Sequence, residues 1–278
     1  MFFLQSLLPP ASDSDRLLAT PEPTQKPIHA ILPEMDAEEL KDIERLREDN
    51  RAALGTQIPI KLFELSTVLE GRTDRLEPWY VLLLLQLAMN VTRVCRELCN
   101  VEDDESVPTG FGSLPAVAWN VRNLLELWVW MEYCCASQTN ARRFHEDALR
   151  DAHGLADSFF KISDVVGTGR ELEPQMRKGL EVAARAIGLE TVDGGYLNVA
   201  DAAKAVKIDN WYSPCNKMYS KLAHPTALLI TRVLQDSDFS LYMPVLLKVQ
   251  GVVFAQRCVA ALEERIRKIP APAKQTES

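Results

Sequence analysis

The segment from Leu114 to about Ser137 constrains the fold most, because a helix built from it is apolar on nearly every side. A helix that is hydrophobic all round lies at the centre of a protein or crosses a membrane. Arg122 and Glu126 lie within this segment, and charged side chains are costly inside a bilayer. We therefore predict that the segment is the central helix of a bundle.

The rest of the chain shows the same helical pattern, with apolar residues three and four positions apart and no sustained strand alternation. Glycine is scarce, at 12 of 278 residues, which disfavours a fold rich in tight turns. The pattern predicts an all-α fold, a multi-helix bundle of about seven to nine helices with an extended N-terminal arm. The predicted helices begin near residues 36, 60, 78, 114, 139, 171, 199, 211 and 241.

Composition divides the chain into three parts. Residues 1–35 are rich in proline and serine, which predicts an extended arm that packs on the domain or on a protein partner. Residues 36–269 predict a single helical domain. Residues 270–278 are polar, and we expect them to be disordered.

Charge and cysteine usage narrow the class of protein. Lys and Arg total 31 against 39 Asp and Glu, and the resulting net charge of −8 argues against a protein that coats nucleic acid or anionic membranes. A small basic patch remains compatible with this balance. The apolar runs are too short or contain charges, so we expect no membrane association and a cytoplasmic location. The six cysteines form no CxxC pair, which predicts reduced thiols in the core.

The strong catalytic and cofactor signatures are absent from the sequence. It has no Walker loop, dinucleotide fingerprint, HExxH motif, nucleophile elbow or calcium loop. His145 and His153 are eight residues apart, whereas two metal ligands on one helix usually lie four apart. No Glu-x-x-His motifs pair on facing helices, and so we predict neither a metal site nor a cofactor.

One group of polar residues is the candidate site. Arg122 and Glu126 lie four residues apart and share a face of the central helix. Burying such an ion pair is costly unless other polar groups complete it. Asn123, Tyr219 and His224 are the candidates for that role.

Two interpretations of this group stay open. In the functional one, Arg122 binds an anion or phosphate together with Tyr219 and Asn123, while His224 and Glu126 are the catalytic groups that handle protons. In the structural one, the ion pair is an ordinary helical pair and His224 satisfies backbone groups at a helix break, since it precedes a proline.

The order of these features resembles a known family. The central helix with its Arg-x-x-x-Glu pair is followed by a short alanine-rich helix and then by a Tyr-x-x-Leu-x-His-Pro segment. The residues that carry the resemblance are Arg122, Glu126, Ala200 to Val206, Tyr219, Leu222, His224 and Pro225. This combination resembles an uncharacterised all-helical bacterial family that is itself similar to the HEPN (higher eukaryote and prokaryote nucleotide-binding) bundles.

The resemblance implies an up-and-down helical bundle, frequent dimerisation and, in active HEPN members, metal-independent RNA cleavage in defence or toxin systems. Active members carry an Arg four to six residues before a His on one helix, and this spacing is absent here. Arg142 and Arg150 precede His145 and His153 by three residues, and Arg122 can meet His224 only through folding. A ribonuclease-like activity is the only enzyme class that the resemblance implies.

Two functions are therefore expected from the sequence. The leading one is a HEPN-like bacterial protein whose polar pocket binds a phosphate-bearing ligand, RNA or a nucleotide, in defence or stress, with a homodimer as a further expectation. The alternative is a non-catalytic interaction module, in which the polar cluster is structural and a protein partner binds through the N-terminal arm. An open pocket favours the first function and a sealed, fully hydrogen-bonded cluster the second.

Overall fold

The computed structural model describes residues 37–72, 75–101, 114–186, 196–224, 226 and 237–270. These residues are almost entirely helical and include no strand, which confirms the predicted all-α class. The predicted arm and the C-terminal tail after Pro270 lie outside them. In chain order the helices are α1 (Ala37–Ala52), α2 (Ile58–Glu70), α3 (Pro78–Asn100), α4 (Leu114–Ala136), α5 (Gln138–Val166), α6 (Glu173–Ala186), α7 (Val199–Ala205), α8 (Asp209–Ala223) and α9 (Ser237–Lys268).

Helix α4 is the centre of the bundle, as its all-round apolar sequence predicts. It packs against α3, α5, α7, α8 and α9, and most of its side chains are buried. The Trp128 ring stacks on Phe254 of α9, with 5.8 Å between ring centroids. Polar groups along α4 therefore bond either within the helix, as Trp128 does with Glu132, or to a neighbouring helix.

Helix α9 approaches α4 and α3 most closely at Gly251. A Cβ atom placed there would lie 2.6 Å from Leu98 of α3 and 3.4 Å from Val121 and Leu124 of α4. Real Cβ atoms do not approach other atoms as closely as 2.6 Å. Gly251 is therefore the contact point that lets these three helices meet.

The inward face of α9 differs from the sequence prediction. We expect Leu246, Val249 and Val253 to face the core along with Leu262, but Leu246 and Val253 are largely exposed. The buried face is instead made by Leu247, Gly251, Phe254, Ala255, Cys258 and Leu262. Apolar residues occur all round this helix, so hydrophobicity alone does not select a face, whereas the close approach at Gly251 does.

Local signals set several helix ends. Asn198 caps α7 as predicted, because its side chain accepts a hydrogen bond of 2.9 Å from the backbone of Asp201. Ser137 caps α5 in the same way, and Gly167 ends that helix with a left-handed φ of 80°. The sequence separates α1 from α2, but the two are joined without a break by a π-helical turn at Ala53–Gln57.

Burial of the cysteines confirms that most of them lie in the core. The buried free thiols are Cys95, Cys134, Cys135 and Cys258. Burial raises the pKa of Cys95 and of Cys135 to about 12, so both thiols stay protonated and poorly reactive at neutral pH.

Two helices are long and apolar enough to cross a membrane by length and composition alone. They are α3 and the Tyr242–Lys268 part of α9, and 50% and 44% of their most apolar stretches are buried in the bundle. Core helices of globular proteins have the same properties, so this resemblance to membrane spans is weak evidence.

Alanine substitutions at Gly251 and at Gly154 should have opposite effects on the free energy of unfolding. Gly251→Ala forces a methyl group against the fully buried Leu98, and such overpacking typically costs about 1–3 kcal/mol. Gly154→Ala on α5 meets no atom within 4 Å, and we expect it to stabilise its helix by roughly 1 kcal/mol. Urea unfolding of the two variants beside the wild type measures both effects. A Gly251→Ala variant as stable as the wild type would contradict the proposed contact.

Candidate ligand-binding site

The Arg122–Glu126 pair forms as its spacing predicts. Arg122 Nε lies 3.1 Å from Glu126 Oε1, and the two side chains are 25% and 28% exposed. The pair is thus neither sealed in the core nor freely solvated. It occupies a half-buried stripe of the otherwise buried helix α4.

Helix α8 supplies a third member of this cluster. Arg122 Nε donates a hydrogen bond of 3.0 Å to the Oδ1 atom of Asn216. The sequence predicts that Asn123 completes the Arg122–Glu126 pair. Its half-buried side chain, however, makes no hydrogen bond to another described residue. Asn216 lies on the same face of α8 as Tyr212 and Tyr219, at spacings of four and three, which is the signal that could have identified it.

The structure places Tyr219 in the core. Its ring is fully buried and meets Phe254 edge-on at 6.1 Å, and its hydroxyl donates a hydrogen bond to Gln250 Oε1 of α9. Burial raises the pKa of Tyr219, and the neighbouring Cys215 raises it further. The hydroxyl therefore ties α8 to α9 and does not take part in the Arg122 cluster.

His224 lies on the surface at the end of α8. Its φ of −106° and ψ of 152° are extended, as the following proline predicts. The imidazole meets the ring of Trp119 edge-on at 6.2 Å, and the Arg122 guanidinium carbon lies 6.0 Å from the same Trp119 ring. Trp119 is 48% exposed, and we call Trp119, Arg122 and His224 together the Trp119 patch.

The Trp119 patch brings Arg122 and His224 to one aromatic ring, although the two residues are far apart in the chain. The two residues come from α4 and from the end of α8, and Trp119 lies in contact range of both. The sequence singled out Arg122 and His224 but not the tryptophan between them. Its position three residues before Arg122 places it on the same side of α4.

Glu126 faces a different neighbour. The Tyr212 phenol of α8 is buried, and burial raises its pKa; the charge of Glu126 raises it further, while that of Arg122 lowers it. The Tyr212 hydroxyl therefore lies close enough to Glu126 and Arg122 for both charges to shift its pKa. Of the two predicted catalytic groups, Glu126 is engaged by Arg122, while His224 contacts the Trp119 ring.

Sequence reasoning missed a polar cluster that forms around a buried carboxylate on α5. Asp147 pairs with Arg143 at 3.5 Å and with Arg150, and it accepts a hydrogen bond of 3.1 Å from the backbone N–H of Leu197. These contacts fasten the segment before α7 to α5. Arginines four residues before and three residues after an aspartate, on one helix, are the sequence signal.

The histidines of α5 are not brought together with metal-binding partners. His145 packs near Trp79, with 5.8 Å between the ring centroids. Within the described ranges no group of three His, Cys, Asp or Glu side chains could hold a metal ion.

Two cavities lie away from the predicted residues. One of about 300 Å³ lies between the ends of α4, α7 and α9 and is bordered by Lys207, Arg265 and Lys268. The other, of about 460 Å³, is an apolar groove between α5 and α6. None of the five predicted site residues lines either cavity.

Comparisons with protein-family models, with curated proteins and with solved structures return no match.

The Tyr219–Gln250 contact predicts a loss of stability at high pH. Above about pH 10 the unfolded chain releases the tyrosine proton while the folded protein retains it, so rising pH favours unfolding. In Tyr219→Phe this ionisation is absent, and we expect its free energy of unfolding to fall less steeply across that pH. Urea unfolding at a series of pH values measures the slopes. Tyr196→Phe, at a tyrosine that is 57% exposed, should change the slope less.

The Arg122–Asn216 bond predicts a measurable coupling between α4 and α8. A double-mutant cycle of Arg122→Ala and Asn216→Ala should give a coupling energy of about 1 kcal/mol, since one partner is charged and the site is half-buried. The cycle of Arg122→Ala with Glu126→Ala should give only about 0.3–0.5 kcal/mol, as for other helical pairs. Additive effects of Arg122→Ala and Asn216→Ala would show that the bond contributes nothing.

Proposed function

We propose that this protein binds a phosphate-bearing ligand, a nucleotide or single-stranded RNA, at the Trp119 patch. The observation that carries the proposal is a half-exposed tryptophan with an arginine and a histidine in contact with its ring. The apolar side chains around α4 are largely buried, so an exposed indole at this position is not needed for packing.

The indole of Trp119 supports recognition of a base. Aromatic side chains stack on nucleobases, and each such contact contributes about 1–3 kcal/mol in single-stranded complexes. The Trp119 side chain is 48% exposed although His224 and Arg122 both contact it, so part of its surface is accessible to a ligand. A flat aromatic ligand can use that surface.

The guanidinium of Arg122 supports recognition of a phosphate. Within the described part of the chain, Arg122 contacts Glu126 and Asn216 through Nε, so its two Nη groups can donate to a further acceptor. Arginine binds phosphate through paired N–H groups, and a guanidinium held in place by two partners loses less entropy when it binds.

Binding is proposed in preference to cleavage because Glu126 is engaged by Arg122 and because the Arg-to-His spacing of active HEPN members is absent from the chain. His224 borders Trp119 on the surface, while Glu126 is paired with Arg122. From the resemblance to HEPN proteins, we further propose that this protein acts in the bacterial cytoplasm, in defence or stress. A single arginine in a chain of net charge −8 favours a small nucleotide over a long RNA.

Equilibrium binding of fluorescent ADP and of a labelled single-stranded RNA, each followed by anisotropy, tests the proposal. Trp119→Ala should weaken binding about tenfold or more, which corresponds to the loss of one stacking contact. Arg122→Ala should weaken it through the phosphate. Trp211→Ala is the matched control, because Trp211 is 59% exposed and lies about 20 Å from His224 along α8.

The two ligands separate the sources of the phosphate. Binding of ADP alone identifies a nucleotide site, and tighter binding of the RNA identifies a nucleic-acid surface. No binding of either ligand, or equal losses in Trp119→Ala and Trp211→Ala, would refute the proposal.

A structural role for the polar cluster is the second candidate, favoured by the bonds Arg122–Asn216 and Tyr219–Gln250. Such an interaction module needs the cluster only for folding. Thermal unfolding distinguishes the candidates: a structural cluster predicts that Arg122→Ala and Glu126→Ala lower the melting temperature, while ligand binding remains undetectable. The proposed contact of a partner with the N-terminal arm falls in residues outside the described part of the chain.

A further inference from the structure

The cavity of about 300 Å³ lies where the C-terminal ends of α4, α7 and α9 meet. Small-molecule sites have volumes of about 300–1,000 Å³, so this cavity is large enough for a small ligand. The uncharged part of its border is made by small side chains, those of Cys135, Ala136, Ala205, Val206 and Ala261. The rest of its border is charged, and those charges indicate what the ligand is.

Three charged side chains at this cavity have no ion-pair partner among the described residues. They are Glu132 of α4, Lys207 after α7 and Arg265 of α9. The other two charged groups, Lys268 and Glu264, neutralise each other, with Nζ and Oε1 2.6 Å apart. Unpaired charges of both signs therefore border one small cavity, and they come from three different helix ends.

The helix ends do not need these cations as hydrogen-bond donors. Lysine and arginine often bond the last carbonyl oxygens of a helix, but here other groups already do so. Arg72 donates to two carbonyl oxygens at the end of α9. At the end of α7, the backbone N–H of Ile208 donates to the carbonyl oxygen of Ala203 at 2.9 Å. Arg265 and Lys207 are therefore available to an anionic group in the cavity.

Lys207 has a backbone conformation that normally selects glycine. Its φ is 63°, and no other non-glycine residue in the described part of the chain has a positive φ. The backbone bonds from Lys207 to Lys204 and from Ile208 to Ala203 form the helix-ending turn in which glycine is usual at this position. A lysine there costs stability that a glycine would not cost, and its side chain borders the cavity.

Arg265 is held beside the cavity by an aromatic ring. Its guanidinium carbon lies 5.2 Å from the centroid of the Tyr80 ring. The Nε atom of Arg265 is buried and has no hydrogen-bond partner in the described part of the chain. A buried donor without a partner is costly, and an anion bound in the cavity compensates the charge of this guanidinium.

We propose that this cavity binds an aliphatic α-amino acid. The carboxylate of the ligand pairs with Arg265 and Lys207, and its ammonium group pairs with Glu132. A carboxylate suits a guanidinium because its two oxygens accept from paired N–H groups. The aliphatic side chain of the ligand packs on the small apolar residues of the border, such as Val206 and Ala261.

The signs of the unpaired charges select a zwitterion over other small ligands. A simple anion would leave Glu132 without a partner, and a simple amine would leave both cations without one. Specificity of this kind arises because the wrong ligand leaves a charge uncompensated. The cavity shares no residue with the Trp119 patch, so this proposal is independent of nucleotide binding.

Isothermal titration calorimetry of the full chain with L-leucine tests the proposal. Two analogues each lack one charge: 4-methylpentanoate has no ammonium group, and 3-methylbutylamine has no carboxylate. We expect leucine to bind and each analogue to bind about tenfold more weakly, because each loses a charge-assisted hydrogen bond. Glu132→Gln keeps an acceptor for Trp128 Nε1 but removes the charge. It should weaken the binding of leucine and leave that of 4-methylpentanoate no weaker.

Lys207→Gly separates binding from folding. Glycine tolerates the left-handed backbone, so we expect the melting temperature to rise by roughly 2–4 °C. Leucine should nevertheless bind about threefold more weakly, because one cation is lost. Arg265→Gln should also weaken binding. Its matched control is Arg267→Gln, since Arg267 is exposed on the same helix and does not border the cavity.

Three results would overturn the proposal. The first is undetectable binding of both leucine and valine at millimolar concentrations. The second is 4-methylpentanoate binding as tightly as leucine, which would identify a site for simple anions. The third is an equal loss of leucine affinity in Arg265→Gln and Arg267→Gln. Weaker binding by a stabilised Lys207→Gly variant supports the proposal, because misfolding does not explain it.

Discussion

The close approach of α9 to α3 and α4 at Gly251 is the constraint on which the rest of the bundle depends. A residue with a side chain at this point would have to displace Leu98, because its Cβ would lie 2.6 Å from the Cδ2 atom of that buried leucine. With the helices in contact, Trp128 reaches Phe254 and the core closes around α4. The positions of α8 and α5 follow, since both pack on the surface of α4 that α9 and α3 leave free.

Helix α8 links this core to the surface through two polar bonds of different character. Tyr219, which is fully buried, reaches inward to Gln250 of α9. Asn216 reaches Arg122, whose side chain is a quarter exposed. Helix α8 therefore makes one bond from a buried tyrosine and one to a partly exposed arginine. The second bond, Arg122–Asn216, helps to hold the guanidinium beside Trp119.

Much of the architecture could be predicted from the sequence, because strong local patterns specify it. Helix α3 begins at Pro78 and ends at Asn100 as expected, and the cap at Asn198 is the residue that the pattern indicates. The inward face of α9 could not be predicted, since the deciding feature is an absent side chain at Gly251 in contact with residues far away in sequence.

The candidate site was only partly predictable for a related reason. The ion pair of Arg122 with Glu126 is local and follows from spacing. Its partner Asn216 is 94 residues from Arg122. The spacing of Asn216 from Tyr212 and Tyr219 places it on one face of α8, but that spacing does not identify Arg122 as its partner. The burial of Tyr219 could not be predicted for the same reason, because the partner of its hydroxyl, Gln250, lies on a third helix, α9.

The two halves of α5 differ in how extensively they contact the central bundle. Its first half packs on α4 and α3, whereas α6 packs mainly on α5 itself. Local opening of the outer half exposes little of the core and breaks few contacts with it. Changes in α6 and in the outer half of α5 therefore leave the packing around α4 largely intact.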